Sequence, residues 1–324
     1  MSIVFIRKAI GILIVFALIG TNLNAQDRND VVKAYNEGVK TMQTDVPAAI
    51  KAFEEVITLS DKVGESAADL RQKAVQVLPG LYIKSAVAAV NEKKPVPEIM
   101  KTAKSAVAVA EKYGTATHKE NAAKLIVQAY NIQATNYFTQ NDLPNALVTF
   151  DSLLAINPNY SNAIYNKALI YIKQNNPAAY EQTIDLYLEK LKAANDEQKI
   201  KQASAQALEY FRGAGSKANQ AEKLDEALAM LNKAAKYGDD KDLFYYFADV
   251  YNKQKKFDNG LDYAKRGLDL ETGEAEAKAK YWFQLGIAQS GKGQTAEACT
   301  SFKNAAFGAF AEAAKAERKN LKCE

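Results

Sequence analysis

The chain has 324 residues, with 42 Lys and Arg against 38 Asp and Glu, a formal charge of +4. That near balance excludes a binder that tracks nucleic-acid phosphates, and an apolar share of 48% excludes a disordered chain. One histidine and two cysteines exclude a metal centre built from His or Cys, and no cofactor is expected.

In chain order, Arg7 and Lys8 come first as a basic patch before an uninterrupted apolar run of twelve residues, 9–20. That length suits the core of an export leader and falls short of the ~20 residues a membrane span needs. Small and polar residues occupy 21–25, so cleavage is expected after Ala25. The mature chain, 26–324, then carries 40 basic against 38 acidic residues, a charge of +2. It is expected outside the cytoplasm, periplasmic or secreted. The alternative is an uncleaved N-terminal anchor, the only case in which membrane association is expected.

From Asp30 onward apolar residues recur at steps of three and four, as in Ala52, Phe53, Val56 and Ile57, and period-2 runs are absent. Helices of 12 to 16 residues are expected between breaks at 44–47, 93–97, 140–144, 157–160, 174–177, 237–240, 272–273 and 291–294. Pro79-Gly80 reads as a kink or a helix start. Thr117-His118-Lys119-Glu120 reads as a capping box. The weakest joint is expected at 140–144 or 197–201.

One spacing recurs. Trp282, Leu285, Gly286, Gln289, Ala298, Phe302 and Ala305 repeat, without a gap, as Phe244, Phe247, Ala248, Tyr251, Gly260, Ala264 and Gly267. The same steps carry Phe211, Ala214, Gly215, Ala218, Ala227, Leu231 and Ala234, and again Tyr130, Gln133, Ala134, Tyr137, Ala146, Phe150 and Leu153. Three looser copies are anchored on Gly38, Ala49 and Phe53, on Tyr82, Ala86 and Ala103, and on Ile164, Ala168 and Tyr187. Small residues at these places let two helices cross at ~8–10 Å, and the aromatics fill the space between hairpins.

This spacing resembles that of the tetratricopeptide repeat along most of the mature chain. The resemblance implies an all-α, right-handed α-solenoid of about seven helix-turn-helix hairpins, with a capping helix near 310–319. It also implies that the first helix of each hairpin lines a concave surface used for protein or peptide binding. Carried onto this chain, the inner positions are Asn131, Tyr165, Arg212, Tyr245 and Phe283. One turn further lie Thr135, Leu169, Ser216, Asp249 and Ile287. Rings beside an Arg have the composition of an interface hot spot, and packing between neighbouring hairpins explains them equally well. The Lys and Asn cluster with which chaperone-binding members hold terminal carboxylates is missing.

Reactive chemistry finds little support. His118 falls in a helix's first turn. Gly213-Ala214-Gly215-Ser216 lacks the preceding strand a phosphate loop requires. The carboxylate pairs fall where solvated faces or helix starts would put them. Cys299 and Cys323 can pair in an oxidising compartment if the last residues curl back to bring their Cα atoms within ~7 Å. The expected function is a non-catalytic extracytoplasmic scaffold or adaptor that binds a protein or peptide and no nucleic acid. The alternative is an extracytoplasmic enzyme or small-molecule binder using a groove of the array.

Overall fold

A computed structural model describes residues 28–323, and these are helical, without a strand among them. The leader expected over 1–25 and its cleavage after Ala25 lie outside the described residues. The chain divides into two compact units, one ending at Gln133 and the other beginning at Ala134. The boundary falls inside a helix and at neither of the two charged turns singled out by the sequence. Fifteen α-helices among the described residues follow one another through short turns. Two consecutive packed pairs, the tetratricopeptide-type hairpin pattern, lie within the first unit and four within the second, which ends on a closing helix.

The first unit holds α1 (Arg28–Thr41), α2 (Val46–Val63), α3 (Ala68–Asn91), α4 (Val96–Tyr113) and most of α5 (Ala116–Thr139). Asp45 starts α2 by accepting from the Ala48 N–H at 3.0 Å, and Pro47 sits in the first turn, where its missing N–H costs nothing. Gly64, at φ +83°, ends that helix. Phe53, Val56, Leu70 and Leu78 are buried together, with Gly38 beneath the Phe53 ring. Further along, Ala86, Ala106, Ala110 and Ala122 make a core of small side chains where helices cross closely.

Of the two readings of Pro79 the helix start is excluded: α3 runs through a buried Pro79, one backbone bond short. The capping box is corrected. The cap of α5 is Thr115, two residues before the expected box. Its hydroxyl accepts from the His118 N–H (3.4 Å), and the His118 imidazole Nδ1 accepts from the Thr115 N–H (3.3 Å). The histidine thus does the reciprocal work expected of Glu120, which pairs instead with Lys124 at 2.7 Å.

The second unit continues with α6 (Leu143–Ile156), α7 (Ser161–Lys173), α8 (Pro177–Ala193), α9 (Glu197–Gln220) and α10 (Leu224–Ala235). It ends with α11 (Lys241–Lys253), α12 (Phe257–Leu270), α13 (Ala275–Gly291), α14 (Thr295–Asn304) and α15 (Ala311–Asn320). Three of its turns are written in the sequence as Asn-Asp or Asn-Asn. Asn141, Asn175 and Asn195 take positive φ, and Asp142, Asn176 and Asp196 then cap the next helix. Phe150, Phe211, Phe247 and Phe302 are fully buried, as are Ala146, Ala248 and Ala298. Gly215 lies against Leu231 and Gly286 against Phe302, each too close for a Cβ.

Helix length departs from expectation: α3, α5 and α9 have 24 residues each. The helices before them are also long, at 18, 18 and 17 residues. Their extra turns carry apolar side chains that need cover. Leu59 is buried in one cluster with Leu70 and Ala74, Ala110 with Ala122 and Leu125, and Leu188 and Leu191 with Ala203 and Ala207. At the C-terminal end Cys299 and Cys323 are bonded, with Cα atoms 5.6 Å apart. The tail curls back through Lys322, at φ +55°, and the Cys323 N–H donates to the Arg318 carbonyl at 2.9 Å.

Candidate functional site

The expected inner positions of the second unit do not form a common open surface. On α9, α11 and α13 they are tied to one another. Arg212 donates to Asp240, the cap of α11, with Asp242 at 3.9 Å. Lys280 of α13 then reaches Asp242 at 2.6 Å. Asp249 accepts from Asn219 Nδ2 of α9 at 2.6 Å and from Gln284 Nε2 of α13 at 3.0 Å. Asn252 Nδ2 donates to both the carbonyl and the Oε1 of Gln284, each at 2.9 Å. Lys253 bridges back to Asn219 Oδ1 at 3.0 Å.

These bonds set the local electrostatics. Asp242 is held below the usual carboxylate range: Lys280 and Arg212 outweigh the opposing effect of burial. Burial pushes the Tyr245 phenol up to about 12, and the Asp249 charge adds to it. The Tyr245 ring packs edge-on to Tyr281, with the Lys280 ammonium 5.4 Å from its centroid. Phe283 is spent within its own hairpin and cap, packing against Phe302 and Phe310. Side chains whose polar atoms and ring faces already have partners gain little from a further ligand. Arg212, Tyr245, Asp249 and Phe283 are therefore fixtures of the stack. Asn131 is half-buried on α5 in the other unit, and Leu169 is half-buried on α7.

Between α7 and α9 the arrangement changes. Among the described residues the only polar bridge joining these two helices runs from the Tyr165 hydroxyl to Gln206 Oε1 at 2.9 Å. On one side of that bridge an open cavity of about 280 Å³ is lined by Asn162, Tyr165, Tyr187, Lys199, Gln202 and Gln206. On the other, one of about 370 Å³ is lined by Asn175, Gln206, Glu209, Tyr210, Gly213 and Lys217. A third, about 290 Å³, shares Asn175, Tyr210, Ala214 and Lys217 and continues towards Met230. Together they form one groove along α9. Its residues 202, 206, 210, 213 and 217 recur at steps of three and four, one helical face. A Cβ at Gly213 would meet no atom within 4 Å, so the middle of the groove is bare backbone.

Of the inner positions expected from the sequence, only Tyr165 lines this groove. Tyr187 and Ala214, expected as core, and Gly213 line it too. Gln202, Gln206, Glu209, Tyr210 and Lys217 went unrecognised, although their helical spacing is legible in the chain. The repeat register begins at Phe211, fourteen residues into α9, which leaves the helix's first turns out of the reckoning. Gly213 lies in mid-helix, so the G-x-G is no phosphate loop. Among the described residues, no group of three His, Cys, Asp or Glu side chains is placed to hold a metal ion. No described helix is long and apolar enough to cross a membrane.

No protein-family model matches the chain, and no curated protein does. Solved structures similar to it include MamA, at 16% identity over 61% of this chain and 96% of that one, with a TM-score of 0.34. A tetratricopeptide repeat protein from Parabacteroides merdae is 17% identical over 91% of this chain and 99% of its own, with a TM-score of 0.32. YrrB, described as a TPR protein with an unusual peptide-binding site, is 17% identical over 55% of this chain and 83% of that one, with a TM-score of 0.32. At these scores the fold assignment rests on the chain's own helix pairs and their glycine and alanine crossings.

Proposed function

We propose that the protein is a non-catalytic interaction scaffold working outside the cytoplasm, and that it takes a protein or peptide segment in the groove between α7 and α9. The observation that carries this reading is the groove's lining: Asn162, Gln202, Gln206 and Asn175 stand along a bare stretch at Gly213. Each amide offers a donor and an acceptor, the pair a peptide backbone presents in return. Tyr165 and Tyr210 supply rigid rings beside them. The leader-like sequence at 1–25 and the Cys299–Cys323 bridge both favour an oxidising compartment outside the cytoplasm.

The test is panning of a displayed library of random peptides against the protein and against a Gly213→Trp variant. The indole fills the groove from a position where a side chain meets nothing, so the helix stays intact. Peptides enriched on the parent should lose binding to the variant while circular dichroism is unchanged. Equal binding to both would remove the groove from the proposal.

A further inference from the structure

The two ends of the larger cavity carry opposite charges that no described residue neutralises. Glu209 and Lys217 both line it, both are exposed, and neither enters any ion pair or hydrogen bond among the described residues. Neighbouring cations in the same hairpin, Arg212, Lys233 and Lys236, are matched to carboxylates. Eight residues on one helix separate the two charges, about 12 Å at ~1.5 Å per residue. An extended peptide covers that distance in about four residues at ~3.3 Å each, and residues four apart project to the same side. The residue midway between them projects to that side as well. It would enter the recess left by Gly213 and Ala214 beside the Tyr210 ring, a cavity of about 370 Å³.

Resting on the groove reading above, we infer that the occupant is an extended segment with an acidic and a basic residue four apart and a bulky apolar residue midway. The base faces Glu209, the acid faces Lys217, and the apolar side chain fills the recess over Gly213. Partly desolvated charges in a groove give orientation and discrimination more than raw affinity, so the pair fixes which way the segment lies.

The probes are three amidated, acetylated peptides: Ser-Glu-Ser-Leu-Ser-Lys-Ser, Ser-Glu-Ser-Leu-Ser-Glu-Ser and Ser-Lys-Ser-Leu-Ser-Lys-Ser. Fluorescence anisotropy should show the mixed-charge peptide binding at least tenfold tighter than either like-charge peptide at low salt. The variant Lys217→Glu should move that preference to the Lys-Lys peptide, and replacing the central Leu with Ser should cost at least tenfold. Equal affinity for all three, no binding of any, or a preference that survives Lys217→Glu would overturn the inference. The groove reading fails separately, when library-selected peptides ignore Gly213→Trp. Lys217→Glu without effect, in a protein whose selected peptides do respond to Gly213→Trp, defeats only the charge pattern.

Discussion

Gly286 lies under the ring of Phe302: a Cβ added at position 286 would stand 2.7 Å from Cε1 and 2.8 Å from Cδ1. Helix propensity favours alanine over glycine by about 0.5–1 kcal/mol, whereas overpacking a filled core costs about 1–3 kcal/mol. Gly286→Ala is therefore expected to destabilise the protein in urea. Gly213→Ala, with open space around its Cβ, should stabilise it by about 0.5–1 kcal/mol. The two alanines shifting stability in the same direction would refute the crossing at Gly286.

Phe150 and Phe302 are fully buried. Truncation of either to alanine leaves a cavity and should lower unfolding free energy by about 3–5 kcal/mol. A loss below about 1 kcal/mol would mean the ring is not where the repeat register puts it.

Asp249→Ala separates the tied face from the groove. It strips acceptors from Asn219 and Gln284, so a stability loss of about 1–3 kcal/mol is expected. Binding of groove-selected peptides should be unchanged. Lost peptide affinity at native circular dichroism would return the inner positions of α11 to the candidate site.

The Cys299–Cys323 bond spans 24 residues of sequence. Opening it with Cys323→Ser should cost about 2–4 kcal/mol, through the larger entropy of the unfolded chain. Thiol titration of the denatured, unreduced protein should find none, and a reductant should release both.

Glu271 is buried, and its carboxylate accepts from Lys241 at 2.9 Å and from the Gly273 N–H at 2.9 Å. Those two contacts, Lys241 first, hold it below its ordinary value. A depressed carboxylate contributes stability that is complete above its unfolded pKa of ~4.3 and is lost as pH falls through the lower folded value. Urea midpoints should therefore drop on acidification below about pH 4, and Glu271→Gln should make that drop shallower. An identical acid limb in the variant would mean other carboxylates govern it.

The hairpin stack was legible because its determinants are local: small residues at fixed steps from an aromatic define each crossing, as at Gly215, Ala146 and Gly286. The length of α9 was less so, because Gln202 and Gln206 lie upstream of the repeat register and look like an ordinary polar face. The fate of Arg212 and Asp249 was hidden for a different reason. Their partners stand 28 to 35 residues away, on or capping the first helix of a neighbouring hairpin, and no local spacing announces such a pairing. Composition alone made Arg212 and Tyr245 resemble a docking surface; the same side chains serve equally well as cross-links between successive repeats.

The single Tyr165–Gln206 bridge has a mechanical meaning. Helices α9, α11 and α13 share several polar links, and a distortion of one is passed to the next. Between α7 and α9 there is one bond of that kind among the described residues. The same two hairpins are held instead on their other side, where Lys233, Lys236 and Tyr237 reach Glu181 and Asp185, and by the apolar cluster of Ile164, Ala168, Tyr187 and Ala207 between them. The first helices are thus left with that one tie, without the set of polar cross-links that the second helices carry.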